Sequence, residues 1–514
     1  MATTTPAPAT TPPAQTPPAQ PSRASAAATA ATTAAPTTAT TGTPTAATTR
    51  TTGPLVRLGG RWVDGYDPED RAYWESPLGR PVARRNLVWS ILAENIGFSV
   101  WLLFSITVTF LPAAGFAFST DQLFWLVSTA AIVGAVLRVP YTFMPALVGG
   151  RNWTVVSALL LLVPLGMLTT AVLDPTTPYW FFLLTAAAAG VGGGNFASSM
   201  ASISHFFPDR EKGLALGLNA AGGNIGVAVV QLLVPKAVLV GGIAVVGGVV
   251  GTTEAGRDLY LQNAALMWVP LVVLAAVGAF FFMDNLGSAT FSFAGQAAAA
   301  ARRQTWVMSF LYIGTFGSFI GFSAAFPLLI RNEFPAVDLA SYAFLGALVG
   351  SVARPFGGWL ADRLGGARVT LVAFLAMAAT VGLILAALAS GSFTAFLAAF
   401  LVLFVLVGAA NGSTYRMIPI IFRAEAAELA AARGEDGPQT AARARREAAS
   451  AIGLISAVGA AGGVFIPRGL SESYLATGGV TAAFVAFLAF YVACVAVTWS
   501  VYVRPGTLFA RAGV

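Results

Sequence analysis

The chain has 514 residues, 56% hydrophobic and 10% charged. Soluble proteins carry about 25% charged residues, so a water-soluble enzyme is excluded. One cysteine (Cys494) and one histidine (His205) leave no basis for disulfides, thiolate cages, imidazole clusters or a nucleophile–base pair, so neither metal nor cofactor is expected. The formal charge of +7 is explained below by topology, without a nucleic-acid partner.

Residues 1–53 are almost entirely Ala, Thr and Pro, with Arg23 and Arg50 as the charges. Such a segment buries too little apolar surface to offset its ordering entropy, and it reads as a disordered cytoplasmic tail. It lacks the basic start and apolar core of a signal peptide. Residues 54–86 form a juxtamembrane segment whose Trp62, Tyr66, Tyr73 and Trp74 are expected against the membrane surface.

From residue 87 long apolar runs alternate with short polar breaks. A helix needs roughly 20 apolar residues to cross a bilayer. Twelve spans are predicted, near 87–112, 122–148, 153–173, 178–203, 211–234, 259–283, 306–330, 339–361, 369–390, 393–422, 449–468 and 479–502. The Gly/Val stretch 237–251 is too short and too weak a helix former to cross, and reads as an external loop. The organisation is an amino-terminal half (87–283), a cytoplasmic linker (284–305), a carboxy-terminal half (306–502) and a cytoplasmic tail (503–514). An Ala/Arg-rich loop, 423–448, interrupts the second half.

From Arg80 onward, 17 Lys and Arg fall in loops on one side of these spans, against Lys236, Arg257, Arg331 and Arg468 on the other. The positive-inside rule then puts the richer side, and both termini, in the cytoplasm.

An internal repeat runs through the spans. Gly134-Ala-Val-Leu-Arg138 matches Gly350-Ser-Val-Ala-Arg354, and each arginine precedes a glycine pair, Gly149-Gly150 and Gly365-Gly366. At the same offset Asn195 falls on Asn411, and Gly222-Gly223 echoes Gly462-Gly463 at a larger one. Two parallel six-helix halves are the hallmark of the major facilitator architecture, with the site near the midplane. The expected fold is an all-α polytopic membrane protein of twelve transmembrane helices in two pseudo-symmetric halves.

Glu94, Arg138, Arg354 and Arg416 are the ionisable residues left inside the spans. A central arginine costs about 2.5–3.5 kcal/mol even on the lenient insertion scale. The structural alternative for each arginine is an ion pair with a buried carboxylate, but Glu94 alone is available, so at least one lacks an internal counter-ion. Arg138 and Arg354 together then suit a small monovalent oxyanion, because a guanidinium offers paired donors and a permanent charge. Arg416 is near enough to the cytoplasm to snorkel. Glu94 reads either as an arginine's partner or as a proton carrier.

Spans five and eleven are rich in small residues, with Gly213/Gly217, Gly222/Gly226 and Gly459/Gly463 at the spacing for close helix approach. Asn219, Asn224 and Ser456 are their polar groups, expected to face a partner helix or the substrate. In span seven Tyr312 and Phe316 share a face, which fits packing and ligand contact alike.

The segments GGGNFASSMASISHFFP, GLALGLNAAGGNIG and AIGLISAVGAAGGVFIP resemble the nitrate signatures of NarK-type nitrate/nitrite transporters in the major facilitator superfamily. LRVPYTFMPALVGGRNWT, FGSFIGFSAAF, SVARPFGGWLADRLGG and NGSTYRMIPIIF extend the resemblance over about residues 85–505. It implies that Arg138 and Arg354 clamp the anion, that Phe196 and Phe316 bracket it, and that Tyr312 and Asn224 donate hydrogen bonds. Asn219, Ser456, Asn195 and Asn411 complete the candidate binding set. Gly222, Gly223, Gly226, Gly459, Gly462 and Gly463 are candidates for packing and gating. Asp362 and Arg363, in a segment similar to the superfamily's cytoplasmic gating motif, join them. The first-half counterpart of that motif is abbreviated to Gly149-Gly150-Arg151.

The expected function is nitrate/nitrite exchange by alternating access in the inner (plasma) membrane. The substrates are nitrate and nitrite and the surroundings a lipid bilayer; the protein is expected to be a monomer with no obligate protein partner. Nitrate/proton symport, with Glu94 or a cytoplasmic-end group carrying the proton, is the alternative within transport. A transporter-like nitrate sensor is the alternative outside it.

Overall fold

The computed structural model describes residues 59–514 apart from 242–245, 254, 289–292 and 434–437. The expected tail over 1–53 lies outside the described residues. Eleven helices among the described residues are long and apolar enough to cross a bilayer. They correspond to spans 2–12: Thr120–Val148, Gly150–Leu173, Tyr179–Phe206, Asp209–Ala237, Asn263–Phe282, Arg303–Glu333, Leu339–Leu364, Gly366–Ala389, Phe393–Ala432, Ser450–Thr477 and Thr481–Val503. Helix is what such runs must form, since a helix satisfies every backbone group within the segment. Span 1, expected as a twelfth of the same kind, is the helix Arg80–Trp101 followed by the short helix Leu103–Thr107. It falls short on apolarity because Arg80, Arg84, Arg85 and Glu94 lie on it.

Local chemistry sets the helix ends. Ser119 caps span 2 through a reciprocal box: its Oγ accepts from the Gln122 amide (3.2 Å), and Gln122 Oε1 accepts from the Ser119 amide (2.9 Å). Spans 2 and 8 both stop at a glycine with positive φ, Gly149 (95°) and Gly365 (88°). A side chain is strained there, so the repeat seen in sequence is also a repeat of backbone conformation.

Spans 2 and 11, and spans 5 and 8, pack against each other across the two halves. The end carrying Arg80, Arg151 and Asp284 is here the base. At the distal end Arg468 pairs with Asp121 (2.6 Å), which also accepts from Ser471 Oγ (2.7 Å). Below that pair, Gln231 Nε2 donates to the Ser323 carbonyl at 2.7 Å.

Two expectations are corrected at the base. The 54–86 segment does not simply lie on a surface in its described part. Tyr66 and Trp74 are buried, the Tyr66 hydroxyl donates to the carbonyls of Gly79 and Phe206, and the Trp74 indole donates to Glu211. The two-residue strands Trp62–Val63 and Asn285–Leu286 pair in parallel. Asp284 gathers Arg61 (3.0 Å), Arg85 (2.7 Å) and Asn86 (2.9 Å). This buried knot ties the segment to the feet of spans 1 and 6.

The second correction concerns 423–448. The helix of span 10 runs on to Arg433, and the next helix begins at Pro438. Ala, Glu and Arg are strong helix formers, so a stretch too polar for the bilayer still extends both helices beyond it. Arg302 of the linker region pairs with Glu447 on this extension (2.8 Å).

Candidate anion-binding site

Arg138 and Arg354 reach the same place from opposite halves because glycines let the helices close in. A Cβ on Gly193 would stand 2.8 Å from Gly134 Cα, so span 4 lies directly on span 2. There the Gly193 carbonyl accepts from Arg138 Nε (3.1 Å), and Arg138 Nη1 reaches across to the Ser456 carbonyl (3.1 Å). In the second half, a Cβ on Gly412 would stand 2.0 Å from the Arg354 carbonyl, which sets span 10 on span 8. Arg354 Nη2 lies 3.4 Å from the Tyr312 hydroxyl.

Span 7 is widened to a π-helical turn over Ile313–Gly317. π-turns are rare and are found mostly at functional sites. This one ends on the face where Phe316 stacks on Tyr312 (centroids 5.4 Å, 17° between planes) and on Phe196 of span 4 (5.8 Å, 26°). Both guanidiniums border the Phe196–Phe316 pair. Arg138 Cζ is 4.6 and 4.7 Å from the two centroids, and Arg354 Cζ is 5.7 and 5.9 Å away.

Several donors on the helices that carry these residues lack an acceptor among the described residues. Arg138 Nη2, Arg354 Nη1, Asn224 Nδ2 and Asn411 Nδ2 are buried without a hydrogen-bond partner, and so are the amide oxygens of both asparagines. A buried unsatisfied polar group costs about 1–3 kcal/mol, and a charged one more. An anion accepting from the two guanidinium nitrogens would remove that cost where the arginines meet the ring pair.

Glu94 is not the partner of either arginine. Its carboxylate accepts from Ser199 Oγ and from Asn219 Nδ2 (2.6 Å), while its Oε1 makes no hydrogen bond. The geometry explains the outcome: two nitrogens of Arg138 are spent on carbonyls, and Glu94 faces span 5, where a Cβ on Gly223 would lie 2.4 Å from Oε1.

The other candidates divide. Asn219 belongs to the Glu94 cluster. Asn195 braces helices, donating to the Ala93 carbonyl (3.2 Å) and accepting from Ser157 Oγ (3.1 Å). Ser456 Oγ donates to the Gly453 carbonyl (2.9 Å), leaving its own carbonyl to Arg138. The span 5 glycines Gly222 and Gly226 pack on span 1: a Cβ on Gly222 would meet Ile91, and one on Gly226 the Asn95 carbonyl. Those of span 11 pack on span 7, with Gly459 against the Tyr312 ring, Gly462 on Gly317 and Gly463 on Ile320. Most of these contacts join helices within a half, but a Cβ on Gly213 would stand 2.6 Å from Arg416 Nη1 of span 10 and one on Gly463 nears Ala131 of span 2, so both faces also touch the opposite half. Gly217 touches nothing within 4 Å.

Asp362 pairs with Arg416 (2.8 Å), and Arg363 lies over the Trp359 ring (4.1 Å). In the first half Arg151 donates to the Phe280 carbonyl (2.8 and 2.6 Å), and Asn285 Oδ1 accepts from the Asn152 amide (3.2 Å). The knot around Asp284 thus stands where the abbreviated motif left the base of this half undefined.

Two aromatics outside the sequence candidates also border the guanidiniums: Trp101, with its ring 5.4 Å from Arg138 Cζ, and Tyr415, 5.8 Å from Arg354 Cζ. Trp101 is one aromatic in an apolar run and carries no distinguishing pattern. Tyr415 lies one helical turn after Asn411, a spacing that places both on one face.

Residues 95–433 match the Major Facilitator Superfamily. The nitrate/nitrite transporter NarU of Salmonella typhimurium is 44% identical over 446 residues, 86% of this chain and 96% of that protein. The probable nitrate/nitrite antiporter NarK2 of Thermus thermophilus is 38% identical over 87% of this chain and 98% of its own length. Among solved structures, a bacterial homolog of the human lysosomal transporter Spinster, inward-facing and occupied, superposes with a TM-score of 0.56 at 15% identity, covering 82% of this chain and 97% of that one; this similarity concerns the fold alone. The chain is a multi-pass membrane transporter that belongs to the Major Facilitator Superfamily and, within it, to the NarK-type nitrate/nitrite porters.

Proposed function

We propose that this protein carries nitrate and nitrite across the plasma membrane by exchange, holding the anion between Arg138 and Arg354. The observation that carries this reading is the pair of buried guanidiniums, one from each half, each with a nitrogen that has no acceptor among the described residues, both bordering the same two stacked rings. A planar monovalent oxyanion matches the guanidinium fork. It also fits flat between aromatic faces. Two ring contacts of about 3.5 Å need roughly 7 Å between rings, against 5.8 Å here. Binding therefore spreads Phe196 from Phe316, with the π-turn of span 7 as the point of give.

Charge supports exchange over net uptake. Two guanidiniums and one carboxylate, Glu94, leave the empty core with one uncompensated positive charge. Moving buried charge without a partner costs several kcal/mol, whereas a bound nitrate or nitrite neutralises it. The basic excess in the base loops orients that end, with both termini, toward the cytoplasm. All these residues come from one chain, so a monomer suffices. Proteoliposomes loaded with nitrite should take up external nitrate far faster than empty ones; equal rates would rule out exchange.

A further inference from the structure

Glu94 is a fully buried acid on a membrane helix, bonded to Ser199 and Asn219 and paired with neither arginine. Intramembrane acids are costly and mark function. From the structure we infer that Glu94 is a proton-binding site coupled to the anion site: protonation tightens anion binding and slows exchange. This rests on the anion reading above and extends it.

Position supports the coupling. Ser199, which donates to Glu94, lies one turn along span 4 from Phe196, about 4.5 Å of helix rise. Asn219, the second donor, is on span 5 with Asn224. Phe98, one turn after Glu94, packs on Phe196 at 6.1 Å. The residues around the carboxyl thus lie one helical turn from the ring pair, and its Oε1 has no hydrogen-bond partner among the described residues.

The charged groups within electrostatic reach of it are Arg138 and Arg354, and Tyr415 is its titratable neighbour; Tyr312 interacts with both arginines. Spans 4 and 5 present Ser199 and Asn219, while their ionisable residues lie toward the helix ends, His205 on span 4 and Asp209–Lys212 and Lys236 on span 5. Span 3 carries Arg151 at its first turn, and span 6 carries none before Asp284. His205 is the other side chain on these helices that can take up a proton, and it serves as the control below.

Two consequences follow. A carboxylate one turn from the anion repels it, so adding a proton raises affinity, and by linkage nitrate binding draws a proton in. The loaded core is neutral with Glu94 ionised and carries a net positive charge with Glu94 protonated. By the charge argument above, the protonated loaded form binds well but reorients slowly. The coupling lowers KM and the maximal rate together as pH falls, whereas a symporter would gain rate from the proton.

The experiment combines nitrate calorimetry on the purified full chain with nitrate/nitrite counterflow. Wild type should bind nitrate on the order of tenfold more tightly at about pH 5 than at about pH 8, with slower exchange. Glu94→Gln should bind tightly and exchange slowly at both, and His205→Gln should behave as wild type. A pH dependence that survives Glu94→Gln, or weaker binding in that variant, would overturn the inference. If Glu94→Gln does not fold, proton uptake by wild type on adding nitrate, in weakly buffered solution, decides: uptake supports the coupling and its absence at every pH refutes it. Loss of nitrate binding at all pH values would sink the anion reading and the coupling with it. Binding that ignores pH would sink the coupling alone.

Discussion

Arg138 of span 2 donates to the main-chain carbonyl of Ser456 in span 11 at 3.1 Å, a bond across the two halves between residues 318 apart in the chain. A carbonyl is a neutral acceptor, so this bond holds the guanidinium in position without discharging it. Under the proposed function, an incoming anion would meet a charge already oriented and would compete with this contact between the halves. Binding and rearrangement would then be linked through one side chain.

Arg138→Lys keeps the charge and removes the fork. A lysine cannot reach Gly193 and Ser456 while also presenting a planar donor pair. Nitrate affinity by calorimetry should fall at least tenfold, about 1.4 kcal/mol, with folding retained. Unchanged affinity would mean a point charge suffices.

The distal contact between Asp121 and Arg468 should act as an outer latch, because it is an ion pair joining the halves above the site. Arg468→Gln should shift the protein toward opening on that side. Since Cys494 is the one cysteine and is buried, a Cys494→Ala background allows a single probe at Asn332, which lines the adjoining cavity. Labelling of Asn332→Cys from outside should accelerate several-fold with Arg468→Gln. The double exchange Asp121→Arg with Arg468→Asp should restore slow labelling.

Asp284→Asn tests the knot at the base. Asp284 is 3% exposed while Arg61 and Arg85 retain 47% and 33% exposure, so water screens the orphaned arginines. The loss should be about 1–2 kcal/mol, below the 3–5 kcal/mol of a fully buried pair. A melt followed by tryptophan fluorescence should shift down by a few degrees, with nitrate affinity unchanged.

Glycine substitutions should separate by location. Gly459→Ala puts a methyl 2.3 Å from the Tyr312 ring, which must move, so nitrate affinity should drop. Gly217→Ala meets nothing within 4 Å and should be neutral or stabilising by up to about 1 kcal/mol, the helix-propensity difference. Thermal melts and nitrate titrations of the two variants distinguish these outcomes.

Much of the architecture is legible from hydropathy because a bilayer leaves a backbone few choices. Span 1 is the exception in composition, since its foot belongs to the Asp284 knot. The arginine pair is legible because charge at membrane depth stands out against apolar surroundings. What Glu94 bonds to is not, because Ser199 and Asn219 lie 105 and 125 residues away and their convergence depends on helix packing. The π-turn over Ile313–Gly317 leaves no mark on the sequence either, since IGTFG suits an ordinary helix equally. The helical extension through 423–433 was hidden by its polarity, which signals departure from the membrane and says little about the end of a helix.

The central claim is that the anion lies between Phe196 and Phe316 with Arg138 and Arg354 on either side. The most direct measurement is an experimental structure of the full chain with nitrate bound. The account predicts a planar triangular density between the two rings, within hydrogen-bond distance of both guanidiniums, and a ring separation near 7 Å in place of 5.8 Å. Nitrate bound elsewhere, with Phe196 still stacked on Phe316, would contradict it.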